Sequence, residues 1–170
     1  SDLELFELLE KQDNISNLSK IKENLLIEII KRSAKSKAEI VVKDEKESGV
    51  RAFLNYGHTF GHVIENLCGY GKWLHGEAVA MGMIAVGQLA IQRGLWNEIE
   101  AKRQKRLIEK AGLPTKWPRL EIESVLSALQ GDKKVKQGKV SFVMPLKIGD
   151  VKLFNNISNK EIHDCLQKLS

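Results

Sequence analysis

Three of the four histidines lie in one stretch, residues 51–77, RAFLNYGHTFGHVIENLCGYGKWLHGE. His58 and His62 stand four apart, the spacing that puts two side chains on one helical face, and His75 follows from the next loop. Two or three imidazoles could therefore converge on one ion. Imidazole suits zinc, and a catalytic zinc site keeps three protein ligands with one position open. HTFGH has the spacing of HExxH but lacks its glutamate base, so His62 need not be a ligand at all. An HxxxH pair alone is as much at home in a core or on a surface as at a metal. Three histidines aligned with Arg51 and Asn55 favour a site, and arginine and lysine there would bind carboxylate or phosphate on a small molecule.

These side chains need elements that aim them. Taken as one helix at about 100° per residue, Arg51, Asn55, His58, His62 and Glu65 form a polar stripe roughly 80° wide. Phe53, Tyr56, Phe60, Val63, Ile64 and Leu67 gather on the opposite side. Gly57 and Gly61 lie between the two faces, and each costs about 1 kcal/mol against alanine, so something should approach that flank closely. After a glycine-punctuated loop over 69–73, a helix over 76–93 is apolar almost all round and should be the buried centre of a bundle.

Upstream, a short amphipathic helix is predicted over 2–10 and a long one over 18–44. The apolar stripe of the long helix passes through Ile27, Ile30, Ala34, Ala38 and Val41, and Lys37 falls within it. Either the Lys37 stem packs and its ammonium snorkels outward, or the ammonium points into a cleft to meet an anion. Downstream come predicted helices over 97–111 and 122–129. A β-hairpin is expected from the alternation over 139–144 and 151–154, and a last helix is capped by Ser158 or Asn159. The fold class is mainly α, a multi-helix bundle with a small C-terminal β-hairpin, in a single domain over 1–170.

A length of 170 residues suits one well-buried domain, and 42% hydrophobic with 29% charged residues fits a soluble globular protein. The net charge of +5 permits anionic partners, but with 6% aromatics and no nucleic-acid module signature, a phosphorylated small molecule is favoured over nucleic acid. The most apolar run is too short to span a bilayer, and no signal peptide is present, so a cytoplasmic protein is expected. Cys68 and Cys165 form no CxxC pair and should be reduced thiols.

The strings RAFLNYGHTFGHVIE and GYGKWLHGEAVAMGM, with GDKK before a strand, closely resemble the C-terminal domain of the 3-dehydroquinate synthase family, across nearly the whole chain. The pattern LNxGHTxGHxxE followed by LHGEAVxxGM is far more specific than histidine spacing. The resemblance implies that His58 and His75 ligate zinc or cobalt, and that His62 contacts substrate and assists proton transfer. Arg51, Asn55 and Lys37 would hold phosphate, hydroxyl and carboxylate groups, together with Lys133 or Lys134. Tyr56 departs from the family's usual phenylalanine or leucine.

The reaction so implied converts 3-deoxy-D-arabino-heptulosonate 7-phosphate into 3-dehydroquinate and phosphate, with NAD used catalytically, in a cytoplasmic homodimer. Two parts of the family pattern are missing. A glutamate ligand and a lysine belong to a segment upstream of Ser1, and NAD is bound mostly by an N-terminal α/β domain. The chain is thus expected to be the C-terminal half of a longer enzyme, inactive alone. The rivals are a metal-dependent polyol or alcohol dehydrogenase-like domain and a non-enzymatic helical zinc module.

Overall fold

The computed structural model describes residues 2–13, 15–45, 49–69, 71–131 and 140–169. Helix α1 (Leu3–Glu10) starts at Asp2, whose carboxylate accepts the Leu5 N–H at 2.9 Å. The same carboxylate accepts from Arg32 on α2 (Glu23–Lys43), and Arg103 donates to Glu10, so ion pairs fasten α1 at both ends. The Arg32 hydrogen bond holds the Asp2 carboxyl below the usual carboxylate range.

The expected helix over 18–44 is two pieces. Asn17 accepts the Ser19 N–H and starts a 3-10 turn, Leu18–Lys20; Ile21 is extended, and α2 begins only at Glu23. The α2 stripe faces outward: Ile27 and Ile30 are 54% and 59% exposed, and Ala34, Lys37 and Ala38 are exposed with them. No α2 residue is buried. Lys37 thus sits in an apolar stripe that is not a core face in this chain.

The predicted helix from residue 51 also divides. Val50–Asn55 is a 3-10 turn, and α3 (His58–Cys68) starts after Gly57, whose φ of +80° is left-handed. This corrects the single polar stripe. His58, His62 and Glu65 share a face of α3, while Arg51 and Asn55 come from a separate turn.

Helix α4 (His75–Gln92) is the buried centre, with Ala78 to Gly82 and Ala85 to Gly87 all buried. It packs against α3, α5 (Glu98–Lys110), α7 (Asn159–Leu169) and strand β1 (Phe142–Lys147). Helix α6 (Ile122–Gly131) closes the core between α3 and α7. Phe60 at the heart of the core meets Phe142 and Trp117, with ring centroids 5.2 and 5.6 Å apart. Both cysteines are free thiols; Cys165 is buried, and burial pushes it up to about 12.

Strand β1 pairs antiparallel with β2 (Asp150–Phe154), in register from Phe142↔Phe154 to Pro145↔Val151, with an irregularity before Lys147. Residues 142–145 are all buried rather than alternating, because β1 lies on α4 and also meets the 3-10 turn at 50–55. Ser158 and Glu161 form a reciprocal cap on α7, and Glu161 also takes Arg93 at 2.7 Å. Those bonds, Ser158 first, hold the Glu161 carboxyl down at about 2. Among the described residues no helix is long and apolar enough to cross a membrane.

The approach expected at Gly57 and Gly61 is made by α4. A Cβ on Gly61 would lie 3.2 Å from Val79 Cα, and one on Gly57 would lie 2.7 Å from the Val79 carbonyl oxygen. From the other side, a Cβ on Gly82 would collide with the Gly57 carbonyl and lie 2.8 Å from Gly61 N. All three neighbours are backbone and cannot rotate away. Gly82→Ala should therefore cost about 1–3 kcal/mol, the range for overpacking a tight interior. A urea titration of the variant beside the parent chain reads this as a lowered midpoint; an unchanged midpoint would mean that the helices separate without cost.

Candidate functional site

The α3–α4 crossing brings two helix starts together, and each begins with a histidine. His58 is the first residue of α3 because Gly57 takes the left-handed conformation before it. His75 is the first residue of α4, where the Glu77 carboxylate reaches back to accept the Leu74 N–H at 2.8 Å. The LHGE string is thus a helix start that fixes where His75 emerges. One turn into α3, His62 completes a cluster. Ring centroids are 5.2 Å apart for His58 and His75, 5.7 Å for His58 and His62, and 6.1 Å for His62 and His75.

The ring nitrogens are differentiated. His58 Nδ1 lies 3.2 Å from the Tyr56 carbonyl oxygen, and His75 Nδ1 lies 3.0 Å from Glu65 Oε1. An Nδ1–H donating to an oxygen places the lone pair on Nε2, the form that ligates a metal. Tetrahedral ligation at about 2.0–2.1 Å from two imidazole nitrogens puts their ring centroids roughly 5 Å apart, close to the His58–His75 spacing. That pair fits zinc or cobalt in donor type and separation. Among the described residues no three or more of His, Cys, Asp and Glu are grouped to hold a metal ion.

The other expected residues are placed unevenly. Arg51 and Asn55 are half-buried on the 3-10 turn, and the Arg51 guanidinium donates to the Glu45 carbonyl at 2.7 Å. That turn is fixed by Asp44, only 8% exposed, whose Oδ2 accepts the Gly49 and Arg51 N–H groups at 2.7 and 3.0 Å. Lys37 stands exposed on α2, which reaches this region by packing on the same turn. Lys133 and Lys134 lie outside the described residues. The Ser141 carbonyl accepts from Thr59, the neighbour of His58, at 3.1 Å.

Several supporting residues carry no assignment from sequence. In the residue pattern Asp44 reads as one charge in a solvated run. Tyr56 does face the core, and its hydroxyl donates to Gln104 on α5 at 2.8 Å; burial raises its pKa. The signal for Asp44 is its place between a helix end and a glycine, where a carboxylate commonly caps N–H groups.

A helical domain with a small antiparallel hairpin is the fold shared with dehydroquinate synthase-like enzymes. The chain belongs to the family described as 3-dehydroquinate synthase C-terminal, whose profile matches residues 1–135. It is 89% identical over 170 residues to the 3-dehydroquinate synthase of Prochlorococcus marinus (strain NATL2A), and 57% identical over 169 residues to that of strain MIT 9303. The chain spans 46% of the length of the first and 45% of the second.

Among solved structures, it superposes with a TM-score of 0.86 on ValA, the 2-epi-5-epi-valiolone synthase of Streptomyces hygroscopicus subsp. jinggangensis 5008, solved with NAD+ and Zn2+ bound. That match has 28% identity and covers 99% of this chain and 47% of ValA. A 2-deoxy-scyllo-inosose synthase complexed with carbaglucose-6-phosphate, NAD+ and Co2+ shares the fold at a TM-score of 0.72 and 21% identity, covering 98% of this chain and 51% of that one.

Asp44 is the joint between α2 and the turn that carries Arg51 and Asn55. Replacing it in Asp44→Ala removes a charged acceptor from the N–H groups of Gly49, which is exposed, and Arg51, which is half-buried, at a cost of about 1–3 kcal/mol, the range for hydrogen bonds to a charged group. A denaturant titration should show that loss; a variant as stable as the parent would mean that water or a neighbouring group takes over both bonds.

Proposed function

We propose that the chain is the metal- and substrate-binding domain of a 3-dehydroquinate synthase, which converts 3-deoxy-D-arabino-heptulosonate 7-phosphate to 3-dehydroquinate and phosphate. The observation that carries this reading is the His58–His75 pair, 5.2 Å apart at two helix starts, with an oxygen facing each Nδ1. His58 and His75 would hold zinc or cobalt through Nε2. When bound, the metal would supply a Lewis acid that polarises the substrate hydroxyl destined to become a ketone. NAD, held mostly by the part of the relatives beyond this chain, would supply the transient oxidation.

The chain's own residues bind and orient. Arg51 and Asn55 reach the substrate from the 3-10 turn beside α3. The guanidinium has five donors, so its bond to the Glu45 carbonyl leaves others for phosphate or carboxylate. Lys37 and one of Lys133 and Lys134 neutralise the remaining anionic ends. Held in this way, the substrate's phosphate lies where it can accept the proton that must leave before elimination. His62, set one turn into α3 beside both ligand rings, contacts the substrate and assists that proton transfer.

A third metal ligand and the dinucleotide site would lie outside the 170 residues, so the chain alone should be inactive. Activity of the complete chain on the heptulosonate phosphate, against glycerol as alternative substrate, separates this reading from a polyol dehydrogenase.

The two roles of histidine are separable. In calorimetric zinc titrations, His58→Ala should abolish binding and His62→Ala should retain it. In the complete enzyme, His62→Ala should lower kcat by about 100-fold or more, the range for losing an acid–base group. Zinc retained by the first variant, or lost in the second, would reverse the assignment.

A further inference from the structure

Glu65 completes the polar face of α3 one turn beyond His62, and neither the ligand pair nor the substrate contacts use it. Its side chain is 19% exposed, whereas that of His75 is 56% exposed. The better-fixed carboxylate therefore stands against the freer ring, across the α3–α4 crossing, with Oε1 3.0 Å from Nδ1. His58 needs no such partner from another helix, because the Tyr56 carbonyl two residues before it already faces its Nδ1. His75 takes its acceptor from a side chain instead, and an unconstrained imidazole prefers its proton on Nε2. In that tautomer the ligating nitrogen would be blocked.

We propose that Glu65 is a positioning residue that holds His75 in the Nδ1–H tautomer and fixes its ring plane, presenting Nε2 to the metal. The inference rests on the assignment of His75 as a ligand. Glu65 acts through the ring: its bonded oxygen sits at the Nδ1 edge, away from Nε2, so it is not itself the third ligand. Loss of a carboxylate partner behind a ligating imidazole typically weakens metal affinity about 10–100-fold.

The test uses the 170-residue chain, with Glu65→Leu, which removes the acceptor, and Glu65→Gln, which keeps a carbonyl oxygen for Nδ1–H. Two-bond ¹⁵N–¹H correlation spectra of the imidazoles, recorded without metal at mildly alkaline pH, report which nitrogen carries the proton. Calorimetry with Zn2+ alone reports affinity, and circular dichroism confirms that each variant is folded. His75 should carry its proton on Nδ1 in the parent and in Glu65→Gln, and move it to Nε2 in Glu65→Leu. Zinc should bind about 10–100-fold more weakly to Glu65→Leu and be weakened less in Glu65→Gln.

An unchanged His75 tautomer in folded Glu65→Leu overturns the proposal. So does a tautomer change without loss of zinc affinity in a chain whose binding depends on His75. A tautomer change in a chain whose zinc binding is indifferent to both His58→Ala and His75→Ala supports the role of Glu65 on the ring and contradicts the metal assignment instead.

Discussion

Helices α3 and α4 meet backbone to backbone, and the rest of the fold is arranged around that contact. Gly57, Gly61 and Gly82 each leave room where a Cβ would strike the facing main chain. Side chains of ordinary size would hold helix axes about 8–10 Å apart. Here main chain faces main chain without side chains between, and that contact brings the first residue of each helix into one cluster. The bulky core lies to the other sides of α4, where Phe60, Phe142, Leu89 and Leu166 are fully buried. Tight packing at the crossing and a large core beyond it make the cluster a rigid feature rather than a meeting of loops.

The site inherits its chemistry from how the helices begin. Gly57 ends the 3-10 turn and starts α3 at His58; Glu77 ties off Leu74 and starts α4 at His75. A helix start aims its first side chains outward from the axis end, so two such starts in contact converge on one volume. The 3-10 turn, pinned by Asp44, sets Arg51 and Asn55 alongside without belonging to either helix. In the proposed reading, two imidazoles would ligate the metal, a third would move the proton, and a cationic border would suit a phosphorylated, hydroxylated substrate.

Much of this is legible in the residue pattern. Helix α4 is recognisable as the centre because it is apolar nearly all round, and the glycines at 57 and 61 mark a close approach because they carry a helix penalty without apparent reason. What the pattern conceals are the breaks. A 3-10 turn and an α-helix offer similar short-range periodicity, so Arg51, Asn55 and His58 look collinear until the left-handed Gly57 separates them. The same ambiguity merges Leu18–Lys20 with α2. Strand β1 looks half-buried because its sequence alternates, whereas packing on both faces buries four residues in a row. Asp44 is hinted at by its place between a helix end and a glycine, whereas Glu65 is visible only as a charge, because its partner lies on another helix and no spacing rule reveals such a bond.

Two imidazoles, His58 and His75, are proposed as the chain's contribution to a metal centre, and every functional role assigned above turns on that pair. Zinc K-edge X-ray absorption of the zinc-loaded chain tests it most directly, since ring scattering counts imidazoles around the ion. Two imidazoles at about 2.0–2.1 Å, with lighter oxygen donors completing the shell, are expected. A shell with three imidazoles would make His62 a ligand, and one with none would remove the metal from this crossing altogether; either result contradicts the assignment.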